Sequence, residues 1–277
     1  MRKITLLLLS FLAFCIQNGS AQSHYGNNPD AGHYLDTRGI KLYYETYGEG
    51  EPLLLLHGNG GSIENMANQI PFFSQHYKVI AIDTRSHGKS KDPSDSLSFE
   101  QIVDDFNALL DTLHLDSCYV IGWSDGGIDA LLLAIRHPDK VKKMAFTGAN
   151  LTPDTLGMTP FVFNLIKEEH SRLAKQPRTP EIKNRQKIID LDYYQPNITL
   201  EQLHQIKCPT MVIGGDHDVI PVPHTVLIAQ NIAQSYLWIV PNSGHSVPIF
   251  KKDQFNPLIY DFFTHPYRKI EGRATFQ

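Results

Sequence analysis

A series of short, almost wholly apolar runs limits what this chain can fold into more than any other feature. They are "EPLLLLHG" (51–58), "YKVIAID" (77–83), "CYVIGWS" (118–124), "VKKMAFTGAN" (141–150), "PTMVIGG" (209–215) and "QSYLWIV" (234–240). Runs of this length, with little polar alternation, read as strands buried on both faces. "GIKLYYETYG" (39–48) alternates instead, as an edge hairpin does. Helical segments lie between the runs. Ser98-Phe99-Glu100-Gln101 is a capping box, and Ile102, Phe106, Leu109, Leu110 and Leu113 follow it at helical spacing. Residues 128–135 read as a helix directly after Ser124, Thr199-Leu200-Glu201-Gln202 is a second capping box, and a last helix is expected over about 247–263. Such alternation predicts an α/β fold around a mainly parallel sheet.

One segment breaks the rhythm. Residues 151–196 hold no buried-strand pattern, only helical stretches around 161–175 and 181–191. Connections in compact domains usually take about 2–6 residues, so this segment is read as an inserted helical lid, with an exposed insertion of no special role as the alternative. At the N-terminus, Met1-Arg2-Lys3 is followed by an apolar stretch over residues 4–16 and by small residues Gly19 and Ala21. This is the pattern of a signal peptide cut after Ala21. The apolar stretch falls short of the roughly 20 residues a spanning helix needs, so export without a stable membrane anchor is expected. Retention as an anchor, or lipidation at Cys15, is the alternative. The division that follows is 1–21 signal peptide, 22–150 first part of the core, 151–196 lid, 197–266 second part of the core, and 267–277 polar tail. Export would leave Cys118 and Cys208, each at or before an apolar strand, and two buried free thiols are expected unless those strands are neighbours. A net charge of -4 and the absence of a long basic run argue against a nucleic-acid partner.

The chemistry centres on Gly122-Trp123-Ser124-Asp125-Gly126-Gly127. G-x-S-x-G alone arises by accident in about one chain in ten of this length, so its surroundings decide. Here a strand precedes the serine and a helix follows, the setting that lifts Oγ clear of a sheet and aims helix N–H groups at developing negative charge. A hydroxyl nucleophile needs a base, a group that orients the base, and donors for the oxyanion. Among the downstream histidines, His217, His224 and His265 fall in a loop, a helix and near the tail, whereas His245 in "PNSGHSVP" follows the last strand. The orienting acid is sought in "GGDHDVIP", where Asp218 has more reach than Asp216, which can cap its own turn. "LLLLHGNGGS" (53–62) ends a strand in a glycine-rich turn, so the backbone N–H groups of Asn59 and Asp125 are the expected oxyanion donors. His57 reads as a residue that shapes this turn. The residues flanking the serine, Trp123 and Asp125, are candidate substrate contacts. A carboxylate at Asp125 would favour a substrate with an amino group, while a solvated carboxylate on the helix dipole is the alternative. No P-loop or G-x-G-x-x-G pattern is present.

Together with "DTRSHGKS" (83–90) and "SGHS" (243–246), these segments resemble the α/β-hydrolase superfamily over essentially the whole mature sequence. The resemblance implies a mostly parallel, eight-stranded sheet flanked by helices, with a short helical lid after the sixth strand. It implies that Ser124, Asp218 and His245 match the triad and that Cys118 and Cys208 lie on non-neighbouring strands. "GWSDGGIDALLLA" and "KKMAFTGAN" are locally similar to the biphenyl-hydrolase-like and valacyclovir-hydrolase-like serine hydrolases. Ser86 departs from the pattern, standing where the superfamily often has Gly.

The expected function is that of an exported serine hydrolase acting on a small ester, thioester, lactone or amide through an acyl-enzyme, with no metal or organic cofactor required. Relatives with Asp at the nucleophile act on haloalkanes or epoxides, whereas a serine implies acyl transfer. A carbon–carbon bond hydrolase or a cofactor-free perhydrolase would use the same residues, and a non-catalytic binding protein on this fold is the reading from another class.

Overall fold

The computed structural model describes residues 24–271 and Thr275, so the expected signal peptide, its cleavage point and Cys15 lie outside the described residues. Eight strands, β1 (Gly32–Thr37), β2 (Ile40–Tyr47), β3 (Pro52–Leu56), β4 (Lys78–Ile82), β5 (Cys118–Trp123), β6 (Val141–Thr147), β7 (Thr210–Gly215) and β8 (Ser235–Val240), form one sheet in the order β1-β2-β4-β3-β5-β6-β7-β8. β1 pairs antiparallel with β2 and β2 with β4, and every other pairing is parallel. The helices are α1 (Ile70–Phe73), α2 (Phe99–Thr112), α3 (Asp125–Arg136), α4 (Pro160–Leu173), α5 (Pro180–Tyr194), α6 (Leu200–Leu203), α7 (Val222–Gln230), α8 (Val247–Phe250) and α9 (Lys252–Thr264).

Apart from that of β8, an edge strand that is only half-buried, the apolar runs are explained by two cores, one on each face of the sheet. Leu54, Leu56, Ile80, Ile82 and Val120 pack against α2, α3 and α7. Their alternate neighbours Leu53, Leu55, Val79, Ala81 and Ile121 pack against α1 and α9. Strand side chains alternate between faces, so a strand covered on both sides must be apolar throughout. β3 is the extreme case, with all four of its leucines fully buried. At about 25 cal/mol per Å² of apolar surface removed from water, each such leucine contributes on the order of 2 kcal/mol.

Helix signals hold where they were strongest. Ser98 caps α2, taking the Gln101 N–H at 3.2 Å while Gln101 reaches back to the Ser98 N–H. Thr199 caps α6 in the same way, but that helix is a single turn. The last helix is two: α8 and α9 are separated at Lys251, whose φ of -120° leaves the helical region. α4, α5 and α6 lie between β6 and β7, the first two over the helical stretches expected there. Cys118 and Cys208 are buried free thiols. Burial pushes them up to about 12 and about 11, which leaves them inert as nucleophiles. Ser86 has φ of 70°, a left-handed conformation in which glycine is the less strained residue.

Candidate active site

The parallel strands all end at one edge of the sheet, and the loops leaving that edge carry the candidate residues. Ser124 sits between β5 and α3 with φ of 59° and ψ of -120°, a strained conformation of a kind that costs about 1–3 kcal/mol and persists only when its surroundings enforce it. They do so here. The Ser124 N–H donates to Thr147 O at 2.9 Å, and the Ser124 carbonyl accepts from Gly127 and Ile128 at the start of α3. A Cβ on Gly122 would lie 2.1 Å from Gly126 O, so the strand and the helix can approach only with glycine at that position.

His245 and Asp218 arrive from the loops after β8 and β7. His245 Nε2 lies 2.9 Å from Ser124 Oγ, and His245 Nδ1 lies 2.7 Å from Asp218 Oδ1. The loop is held from beneath. Trp123 Nε1 donates to His245 O at 2.9 Å, so this buried indole supports the histidine loop. Asp216 accepts from the backbone N–H groups of Asn242 and Ser243 at 2.9 and 3.0 Å. It therefore caps the turn before His245 rather than its own. Asp218 accepts from the N–H groups of Ile220 and Gly215. Burial acts to raise its carboxyl, but the hydrogen bond and charge of His245 and these two N–H groups outweigh it and hold Asp218 below the usual carboxylate range. The other histidines stand elsewhere. The His217 side chain is 79% exposed, His224 takes the Leu151 N–H at 3.0 Å, and His265 is a surface residue.

The turn after β3 faces the serine from the other side. A Cβ on Gly58 would lie 2.9 Å from Ser124 Cβ, so the backbone here runs directly against Ser124. His57 is buried and shapes the turn, its Nδ1 2.8 Å from Gly58 O and its Nε2 accepting the Thr84 N–H at 3.2 Å. Burial lowers its pKa to about 4, so it is neutral at physiological pH. Asp125, the first residue of α3, has a backbone N–H with no intrahelical acceptor, and Asn59 lies in the turn closed by Gly61 N–H to Gly58 O at 3.1 Å.

The Asp125 side chain differs from either expectation. It is buried rather than solvated, and Asn59 Nδ2 donates to it at 2.9 Å. It also hydrogen-bonds Asp192 of α5, a residue that sequence reasoning missed. Burial raises both carboxyls, and each also feels the other. Asp129, one turn further along α3, is 1% exposed with no partner for Oδ1, and burial followed by the charge of Asp125 raises it well above the usual range. One signal of the cluster was legible: Asp129 is a lone acid in the apolar helix "IDALLLA". Asp192, in the polar stretch "IIDLDYY", gave none.

α5 is fixed to the core along one face. Lys187 Nζ pairs with Asp92 Oδ2 at 3.1 Å, both side chains almost fully buried, and Asp92 in turn meets Arg85, which holds Asp105 with two hydrogen bonds of 2.7 and 2.8 Å. Asn184 Nδ2 donates to Ser86 O at 2.9 Å, and Gln195 bonds Phe99 N–H and Leu97 O. Among the described residues, no group of three or more His, Cys, Asp or Glu side chains is arranged to hold a metal ion.

Comparison with known proteins identifies the fold. A family model described as the alpha/beta hydrolase fold matches residues 51–166. The mouse protein named serine hydrolase BPHL is 28% identical over 255 residues, covering 81% of this chain and 83% of the relative. The chain is a hydrolase of the α/β-hydrolase fold. The same hydrolase is 28% identical to a 2-hydroxymuconate semialdehyde hydrolase of Pseudomonas sp. (strain CF600), over 85% of this chain and 95% of that one. Among solved structures, an N-acyl homoserine lactone degrading enzyme superposes with a TM-score of 0.69 at 26% identity, over 83% of this chain and all of the other.

Proposed function

We propose that this hydrolase is a serine enzyme that cleaves a small carboxylic ester, thioester, lactone or amide through an acyl-enzyme. The observation that carries the proposal is the continuous chain Ser124 Oγ, His245, Asp218, with contacts of 2.9 and 2.7 Å. In the first half-reaction His245 Nε2 takes the Ser124 proton as Oγ attacks the substrate carbonyl carbon. Asp218 holds the imidazole by Nδ1 and stabilises its charged form. The backbone N–H groups of Asn59 and Asp125 receive the oxyanion, an interaction whose loss costs on the order of 3 kcal/mol per donor. His245 then returns the proton to the leaving group. In the second half-reaction water, deprotonated by His245, attacks the acyl-enzyme and frees Ser124. Metal and organic cofactors have no part in this scheme. α4 and α5 act as the lid that covers the acyl pocket and limits water. The N-terminal pattern supports export of the enzyme, to a periplasmic or extracellular location.

A second reading, carbon–carbon bond hydrolysis, is favoured by one finding: the similarity to a 2-hydroxymuconate semialdehyde hydrolase along nearly the whole length of both chains. Steady-state assays on p-nitrophenyl esters, lactones, thioesters and a vinylogous diketone test both readings. The ester reading expects turnover of the acyl substrates that Ser124→Ala abolishes. Turnover of the diketone alone would replace it with the second reading, and ester turnover unchanged in Ser124→Ala would remove the serine mechanism.

A further inference from the structure

The two residues that supply the oxyanion donors also have side chains, and both side chains are tied to the insert. One hydrogen of the Asn59 amide goes to Asp125 Oδ2 at 2.9 Å and the other to Ile188 O on α5 at 3.2 Å. Asp125 is bonded in turn to Asp192, one helical turn beyond Ile188 on the same face of α5. The contacts therefore close a ring, from α5 through Asn59 and Asp125 back to α5. Lys187 and Asn184 anchor that face of α5 to the loop after β4, so the ring is pulled against a fixed support.

We propose that this ring is a clamp that sets the oxyanion hole, with Asp192 as a positioning residue: through Asp125 and Asn59 it fixes the two backbone N–H groups that meet the developing negative charge. The proposal rests on the serine-hydrolase reading above. Oxyanion stabilisation depends on donors held in place before the reaction, and small displacements of catalytic groups are costly. A clamp made by the lid helix assembles the hole only when that helix is seated.

Two carboxyl groups hydrogen-bond only when one of them keeps a proton, so the clamp contains a dissociable link. The groups facing it are Asn59 from the turn after β3, Asp129 from α3, and His245 from the loop after β8. Lys187, the nearby cation on α5, is committed to Asp92. Loss of the shared proton leaves two facing carboxylates that repel, and α5 is released from the elbow. An asparagine at 192 supplies the N–H permanently, whereas a leucine supplies none.

The test compares wild type, Asp192→Asn, Asp192→Leu and Ser124→Ala in p-nitrophenyl butyrate hydrolysis from pH 6 to 9. Inhibition by a trifluoromethyl ketone, whose adduct places an oxyanion in the hole, is measured beside it. Asp192→Leu is expected to lower kcat and ketone affinity together by about tenfold, with KM within about twofold, as removal of ordered donors requires. Asp192→Asn is expected to keep the wild-type kcat at neutral pH and to lack the fall in kcat expected of wild type as the shared proton is lost. Wild-type kcat and ketone affinity in Asp192→Leu would overturn the proposal, as would Asp192→Asn being as impaired as Asp192→Leu. Asp192→Asn, close to isosteric, keeps the pH comparison available if the leucine variant does not fold, and a pH profile in it identical to that of wild type is also contrary to the proposal. Activity that survives Ser124→Ala would instead strike the serine reading beneath it.

Discussion

On the β7 side of Ser124, Asp218 faces an imidazole and two backbone N–H groups; on the α5 side, Asp125 faces one amide and a second carboxyl. Both aspartates are buried beside the same serine. The first is held below the usual carboxylate range and the second above it. Burial pushes both in the same direction, so the partners decide the difference. In the proposed mechanism the carboxylate that orients the base must stay charged, and Asp218 has the donors for that. Asp125 has the Asn59 amide and, while Asp192 keeps its proton, the Asp192 carboxyl as donors, and burial still leaves it raised to about 6. The residue type is the same on both sides, and the neighbours assign the role.

The most severe test of this contrast is to neutralise each carboxyl in turn. Asp218→Asn is expected to lower kcat by roughly 10³–10⁴-fold with KM little changed, because it removes the charge that supports the imidazolium and favours the wrong tautomer. Asp125→Asn is expected to cost less than about tenfold, since an amide can keep both of its side-chain contacts. Equal losses in the two variants, measured by steady-state kinetics on one ester, would break the comparison.

A smaller effect is expected from steric displacement on the β7 side alone. Gly148 has φ of 71°, and a Cβ there would lie 2.6 Å from His245 Cε1. Gly148→Ala should push the imidazole off Ser124 and lower kcat by about 10–100-fold while the α5 side is untouched. A wild-type kcat in this variant would mean that the His245 ring is not confined as described.

The smallest expected effect is on stability. A carboxyl whose folded pKa is lowered, such as Asp218, contributes stability above its unfolded value near 4 that is lost as pH falls through the folded value. Carboxyls raised by burial behave oppositely. For Asp125, Asp129 and Asp192 the contribution is full below about 4 and is lost as pH rises through the folded values. His57 and His87, lowered by burial to about 4 and about 3, gain stability as pH rises toward the ordinary histidine value near 6.5 and are silent above it. Asp125, raised to about 6, has lost its contribution by then, so above the histidine range Asp129 and Asp192 set the slope, and the melting temperature should fall as pH rises until they ionise. Asp129→Asn, which cannot ionise, should flatten the fall; a wild-type slope in that variant would remove Asp129 from the cluster.

The same division separates what was legible in the sequence from what was not. β3, β4, β5 and β7 could be read because burial on both faces forces an unbroken apolar run, and the elbow because a serine between a strand and a helix leaves few alternatives. His245 and Asp218 followed from loop position alone, and the structure brings both within hydrogen-bonding distance of their partners. β1 was overlooked, since "GHYLDT" at the sheet margin is only partly buried and carries mixed residues. The α5 side was hidden for a different reason. Asn59, Asp125 and Asp192 lie far apart in the chain, and a polar helix such as α5 does not disclose which of its acids turns inward. The role of Asp216 is hidden because the N–H groups that donate to its carboxylate, those of Asn242 and Ser243, belong to the next loop. Local pattern specifies elements, and pairing between distant loops specifies protonation.

The most direct test of the serine assignment is labelling of the purified protein with a fluorophosphonate probe, followed by peptide mapping, in wild type, Ser124→Ala and His245→Ala. The expected result is a single phosphonylated site at Ser124, absent in Ser124→Ala and strongly slowed in His245→Ala. Labelling that persists in folded Ser124→Ala, or that proceeds at the wild-type rate without His245, would contradict it.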